Sequence, residues 1–267
     1  MKILVNGKNI ETAAYDCATL RKQHQPMADT LIVSGHSKPW TTAISDGDDV
    51  LLLDSSATPS PELWRAIYDA RYGRDIMDRF QAGRVAICGL GGLGSLVALE
   101  LARLGVGQLL LIDGDHVDPT NLARQHYTLP QIGEKKADAL ADTIRISAPL
   151  TQVETAAVWL NEENMVSLLK DWPFVCECLD RPETKALLTN TVLSQLPQTT
   201  LVGASGMAGY SSGNTITTKQ VLSRFYLAGD GTNEGEEGIG LMAPRVGLCA
   251  SAQATMIMRL LLGETTP

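Results

Sequence analysis

The 267-residue sequence contains no C-x-x-C pair, opens without a charged-then-apolar leader, and has no apolar run of the roughly 18 residues that a membrane span requires. Without C-x-x-C pairs there is no four-thiolate spacing for a tetrahedral structural zinc, so no zinc is expected. The other two absences predict a cytoplasmic chain with no membrane partner. Cationic charge is also scarce: 22 Lys and Arg stand against 30 Asp and Glu, a formal net charge of −8. Non-specific binding to nucleic acid or anionic lipid needs clustered Lys and Arg, so neither is an expected partner and any phosphate must be held locally. The five cysteines (Cys17, Cys88, Cys176, Cys178, Cys249) are odd in number, scattered and mostly set in apolar runs. That pattern suits reduced, buried thiols rather than a disulfide framework. No internal repeat is visible.

Hydrophobic residues make up 44% of the chain, enough to bury a sizeable core in one large domain with a small appendage. Residues 1–54 read as a compact α+β unit. Its signals are a strand at Ile3–Val5, a hairpin turn at Asn6-Gly7, a helix near Cys17–Gln25, and strands at Leu31–Val33 and Val50–Leu53. Residues 55–61, within the Ser- and Pro-rich stretch Asp54–Pro61, have the composition of a linker. From residue 62 to 267, β-rich apolar runs alternate with helical patterns, among them strands at Arg84–Cys88, Gln108–Ile112, Phe174–Leu179 and Thr200–Ala204. The helical patterns include Leu93–Leu104, Lys135–Ser147, Asn161–Trp172 and Pro182–Leu196. Such alternation predicts βαβ units forming a mostly parallel, Rossmann-like sheet with helices on both faces, an α/β fold. Past Ala204 the pattern turns to a short strand at Asn214–Thr218, a Gly/Glu-rich segment at Gly229–Gly240 that reads as a surface loop or else a moving active-site lid, and a small-residue helix from about Arg245 to Leu262.

Gly89-Leu90-Gly91-Gly92-Leu93-Gly94 follows a buried strand and opens a helix, the context of a G-x-G-x-x-G phosphate-binding turn. There the backbone approaches a phosphate and the helix N-terminus supplies N–H donors. Asp113 ends the next strand, 19 residues after Gly94, and is placed for a ribose-binding carboxylate. To this point a nicotinamide oxidoreductase fits as well as any other nucleotide-binding enzyme.

The residues after Asp113 discriminate. Ile112–Gln125 resembles the I-D-x-D-x-V-x-x-x-N-L-x-R-Q signature of the ThiF/MoeB/HesA family, which is related to ubiquitin-activating enzymes. The likeness continues in Arg71-Tyr72-Gly73-Arg74, in Gly133–Ala137 (G-x-x-K-A), in Asp180 after an apolar strand and in Met242-Ala243-Pro244. The resemblance implies an adenylyltransferase in which the C-terminal carboxylate of a ThiS-like sulfur-carrier protein attacks the α-phosphate of ATP, with Mg²⁺ bound, in thiamine biosynthesis. Molybdopterin-type carrier activation, or a weakly catalytic docking scaffold, are the alternatives. It further implies a nucleotide-binding set of Gly89, Gly91, Gly92, Gly94, Asp113, Asp115, Asn121, Arg124, Gln125 and Lys136. The catalytic set is Arg124, Lys136, Arg74 and Asp180, with Asp180 ligating Mg²⁺ and Arg74 reaching the phosphates from the other subunit of a homodimer.

The sequence departs from that pattern in three places. Its relatives often carry C-x-x-C pairs and a cysteine in the crossover loop, but residues 206–240 contain no cysteine, which excludes a thiolate relay there. The usual Asp-Asn pair and following Arg stand as Asp180-Arg181 and Lys185. Residues 1–54 resemble ThiS in Met1–Gly7 and Asp46–Val50, yet run on into Asp54-Ser55-Ser56 where a carrier would end in Gly-Gly. This domain therefore cannot be a substrate, and is expected to be a docking, regulatory or stabilising copy.

Overall fold

The computed structural model describes residues 1–235 and 240–267, and the chain divides into two units, Met1–Asp78 and Arg79–Pro267. In the first unit, β1 (Lys2–Val5) and β2 (Lys8–Glu11) form a hairpin, followed by α1 (Cys17–His24), β3 (Thr30–Val33), β4 (His36–Ser37) and β5 (Asp49–Leu53). Asn6 and Gly7 take φ of 50° and 77°, the left-handed pair that a two-residue turn needs to match strand twist. The sheet order is β2-β1-β5-β3-β4, with β1 and β5 parallel and the other pairs antiparallel, a β-grasp arrangement. Asp16 caps α1 by accepting the Thr19 N–H at 2.8 Å, and Cys17 and Leu20 of that helix share a core with Ile3, Val5, Leu31, Val50 and Leu52.

Beyond β5 the chain runs through Asp54–Ser60 into α2 (Pro61–Tyr72) and α3 (Arg74–Ala82). Helix α2 belongs to the first unit by its packing: a Cβ on Gly7 would stand 3.0 Å from the Ala66 Cβ. The end of β5 is thus continuous chain, so the carboxylate of a free carrier tail does not exist at this point.

The second unit holds β6 (Arg84–Cys88), α4 (Gly92–Leu104), β7 (Gln108–Ile112), α5 (Lys136–Ser147), β8 (Gln152–Ala156), α6 (Met165–Leu169), β9 (Phe174–Glu177), α7 (Pro182–Gln195) and β10 (Thr200–Ala204). It is completed by β11 (Thr217–Leu222), β12 (Phe225–Gly229) and α8 (Ala243–Leu261). The sheet order is β11-β12-β10-β9-β6-β7-β8, parallel except for the antiparallel edge strand β11. Strand alternation sorts the core onto two faces. Val85, Ile87, Leu109 and Leu111 pack with α4, α5 and α8, while Ala86, Cys88, Leu110 and Ile112 pack with α6 and α7. Gly105 ends α4 in the left-handed conformation at φ 90°, as the sequence predicts.

Three elements differ from the sequence reading. The predicted helix over 161–172 is confined to α6, because the Asn161 and Asn164 side chains accept N–H groups of the preceding turn and hold it non-helical. The predicted strand at 214–218 is a one-turn helix at Gly213–Thr215 followed by β11. Strand β12, unrecognised in the sequence, adds to the parallel sheet beside β10 and ends at Gly229, the first residue of the predicted surface loop. The 236–239 part of that loop lies outside the described residues.

A candidate nucleotide-binding site

The path β6-α4-β7-α5-β8 winds outward on one side of β6, and β9 returns to the other side, so β6 and β9 flank the point where strand order reverses. Open α/β sheets bind ligands in the crevice outside the carboxyl ends of such a pair. A cleft of about 720 Å³ lies there within the second unit.

Its floor is the glycine turn. Gly89 (φ 89°) donates to the Ile112 carbonyl at 2.9 Å, and a Cβ on it would stand 2.7 Å from the Cys178 carbonyl oxygen. A Cβ on Gly94 would fall 1.9 Å from the Gly89 oxygen, so these two glycines are dictated by backbone packing. Gly91 is different: a Cβ there would meet only the Gln125 amide nitrogen at 3.8 Å, leaving its face open to the cleft. Helix α4 carries no side-chain cap, which leaves its first N–H groups for an anion.

Asp113 ties the turn to β7, its two carboxylate oxygens accepting the Leu90 N–H at 2.7 Å and the Asp115 N–H at 2.8 Å. Lys136, the first residue of α5, has a side chain only 7% exposed and pairs with Asp115 at 2.9 Å. Lys135 is exposed, so of the two neighbouring lysines Lys136 is the one on the cleft wall. Burial opposes ionisation of Asp115, but the Lys136 ammonium and His116 together outweigh it and hold the carboxyl below its ordinary value. Arg124 also lines the cleft; among the described residues its guanidinium makes one hydrogen bond, a long one of 3.3 Å to the Thr120 carbonyl, and no ion pair. Gln125 beside it is 8% exposed and its Oε1 has no donor among the described residues.

Asp180 lies on the wall after β9, where its carboxylate has no partner among the described residues and does not cap α7, whose N-cap is Arg181. Beneath it is a pair that sequence reasoning missed. Glu177, 3% exposed, accepts Lys185 Nζ on both carboxylate oxygens at 2.9 Å and the Leu179 N–H at 2.8 Å, and the remaining Lys185 donor goes to the Leu179 carbonyl at 3.2 Å. Lys185 is therefore a strut for the β9-α7 loop, with no donor left for a ligand. A lone Glu in the apolar run Val175–Leu179 is the signal that would have revealed it. Trp159, held by an Asn164 bond to its carbonyl at 2.8 Å, is a second missed residue on the wall, its indole lying against Gly114.

Three of the sequence-derived residues lie off the cleft. Gly94 packs beneath the turn. Asn121 accepts the Asp118 N–H at 3.1 Å in a capping box. Arg74 belongs to the first unit, with its side chain 55% exposed and Asp69 at 3.8 Å.

Burial pushes the Glu177 carboxyl above its ordinary value of 4.5, against the opposing pull of Lys185. The native state thus keeps this proton where the unfolded chain has lost it, so the group makes stability fall as pH rises from 4.5 through the raised value. Denaturant titrations of wild type and Glu177→Gln between pH 4 and 8 are expected to show the variant gaining relative stability as pH rises. A pH-independent difference would contradict the raised value.

The fold and the cleft together define a Rossmann-type nucleotide-binding α/β protein joined to a β-grasp unit. Residues 65–267 match the ThiF family and residues 1–54 the ThiS-like ubiquitin family, so the chain belongs to the ThiF family. It is 30% identical to the adenylyltransferase and sulfurtransferase MOCS3 of Caenorhabditis briggsae over 84% of this chain and 54% of that protein. With the adenylyltransferase and sulfurtransferase UBA4 of Candida glabrata the identity is 26%, over 73% of this chain and 48% of that one. The chain thus spans about half the length of the curated relatives it matches. Among solved structures, E. coli tRNA N6-threonylcarbamoyladenosine dehydratase TcdA in complex with ATP superposes with a TM-score of 0.66 at 21% identity, covering 73% of this chain and 92% of that one. E. coli MccB with AMPCPP and MccA gives 0.56 at 19% identity, over 75% and 62%. At these identities the likeness is one of fold. No helix among the described residues is long and apolar enough to cross a membrane.

Proposed function

We propose that the chain uses ATP to adenylylate the C-terminal carboxylate of a ThiS-like, ubiquitin-fold sulfur carrier. The observation that carries this reading is the pairing of a glycine turn and Asp113 with two cations, Arg124 and Lys136, on one cleft. Hydride transfer leaves both cations without a task. In the proposed reaction a carrier carboxylate oxygen attacks the α-phosphorus, a bond forms between them, and the bond to the bridging oxygen breaks as pyrophosphate leaves with its electron pair. Two anions must approach one another, so fixed positive charge at the phosphates lowers the barrier. An ammonium 4 Å from a phosphate oxygen gains about 4 kcal/mol at an effective dielectric near 20, before its own desolvation is subtracted. Asp115 holds the Lys136 ammonium in place, and Gly91 lets the phosphates reach the α4 N-terminus.

The residues present fit a magnesium ion. Asp180 offers an uncommitted carboxylate on the cleft, and Mg²⁺ is commonly held by one or two carboxylates with substrate phosphates and water. When bound there it would offset phosphate charge. In this reading Asn121 supports the Arg124 loop through its cap, and Arg74 completes the phosphate site of a neighbouring chain in a homodimer. Residues 1–54 are then a docking copy of the carrier and residues 62–267 the adenylylating domain. Thiamine biosynthesis is one pathway it could serve, and the likeness to MOCS3 and UBA4 favours molybdopterin-type carrier activation over it. ATP–pyrophosphate exchange is expected only when a carrier with a free Gly-Gly terminus is added, and the carrier that supports it names the pathway. Absence of exchange with every ubiquitin-fold carrier tried would overturn the assignment.

A further inference from the structure

Arg245 sits where a helix least favours it. It is a cation in the first turn of α8, whose dipole prefers anions there, and it is only 4% exposed. Its guanidinium joins segments distant in sequence. Nη1 donates to the Ser211 and Ser212 carbonyls at 2.7 and 2.8 Å, Nη2 pairs with the Asp230 carboxylate, and Nε has no acceptor among the described residues. Asp230, its side chain 4% exposed, also accepts the N–H groups of Thr232 and Asn233 at 2.9 Å and the Asn233 side-chain amide at 2.5 Å.

Those bonds lock the turn after β12 onto the turn after β10. Asp230 N–H donates to the Gly206 carbonyl at 2.9 Å, Gly231 N–H to Ser205 at 3.0 Å, and Ala208 N–H to Asn233 at 3.0 Å. Gly206 (φ 78°) leaves no room between them, since a Cβ would stand 2.2 Å from Asp230 Oδ1. The two turns form one body, and Ser205, Gly206, Met207 and Asn233 of that body line the cleft. The groups assigned to the nucleotide come instead from the β6-α4 turn, the end of β7, the Arg124 loop and α5. A buried ion pair gives little stability that apolar side chains of similar volume would not, so its retention calls for a role in fixing geometry.

We propose that Arg245, acting through Asp230, is a positioning residue for the second reactant: it holds the Ser205–Met207 and Asn233 wall against which the C-terminal tail of the carboxylate substrate lies. Ser205 and Gly206 present little side chain, so a tail that itself lacks side chains, such as Gly-Gly, can approach main chain to main chain. The proposal rests on the adenylylation reading above, and its test separates the two.

Binding of two probes to the full-length chain is measured by calorimetry: AMP, and a sulfamoyladenosine bearing Gly-Gly, a stable stand-in for the acyl adenylate. Wild type should bind the dipeptide probe at least about tenfold more tightly than AMP. In Asn233→Ala, which leaves the buried ion pair intact, and in the double variant Asp230→Ala/Arg245→Met, which removes the whole pair, that advantage should fall to about twofold or less while AMP affinity stays within about twofold of wild type. Arg245→Lys, which keeps the charge but not the fork, should restore part of it. An undiminished advantage in both variants, or equal loss of AMP and dipeptide-probe affinity, overturns the positioning role. A wild-type chain that binds AMP yet gains nothing from the dipeptide overturns the adenylylation reading itself.

Discussion

Arg124→Ala and Lys136→Ala are each expected to lower ATP–pyrophosphate exchange by about 10²–10³-fold, the usual effect of deleting one fixed group that stabilises transition-state charge. Neither deletion should unfold the chain. Arg124 loses a single long bond to Thr120, and the partner that Lys136 leaves behind, Asp115, is 52% exposed and can be solvated by water. Circular dichroism and the urea midpoint serve as controls for the fold, and kcat for exchange as the readout. If the effect falls on KM for ATP with kcat preserved, the cations bind ground and transition states equally and are not catalytic. Exchange within threefold of wild type in both variants would remove them from the site altogether.

The second large effect concerns stability. Asp230→Ala leaves the Arg245 guanidinium buried without a counter-charge and takes the acceptor from the Thr232 and Asn233 N–H groups. Losing one member of a buried pair costs about 3–5 kcal/mol, against a total of about 5–15 kcal/mol for a typical domain. Urea denaturation should therefore show the variant close to the margin of folding at 37 °C. The double variant Asp230→Ala/Arg245→Met should recover much of the loss, because an apolar replacement of a whole buried pair is often neutral. A double variant as unstable as the single one would show that the penalty lies in the lost turn geometry and not in the stranded charge.

The two ion pairs mark the limit of sequence reading in this protein. Lys136 and Arg124 stand in a dense motif, and their place on the cleft follows from the strand-turn-helix around Gly89–Gly94. Glu177 with Lys185, and Asp230 with Arg245, are eight and fifteen residues apart, with no pattern that names either as a partner of the other. Only the β9-α7 and β12-α8 connections bring them together. The same holds within elements. The α4 stripe and its Gly105 cap are local and readable, whereas the place of β12 in the parallel sheet depends on the edge that β10 offers it. The Asn161 and Asn164 side chains shorten α6 by bonding to nearby backbone, a competition that periodicity alone does not register.

By itself, then, the sequence determined the alternation of buried strands and amphipathic helices, the glycine turn, Asp113 at the end of β7, the cations Arg124 and Lys136, and the missing thiolates of residues 206–240. Each of these is a property of one short segment, set by burial period, by a glycine's freedom at positive φ, or by charge. Tertiary structure decided which of the two neighbouring lysines faces the cleft, that Asp180 is uncommitted among the described residues while Lys185 is fully bonded, and that Arg245 pairs with Asp230 at the turn after β12. Those facts depend on strand order and on which loops meet at the reversal between β6 and β9, and chain segments far apart in sequence acquire such relations only when the sheet assembles.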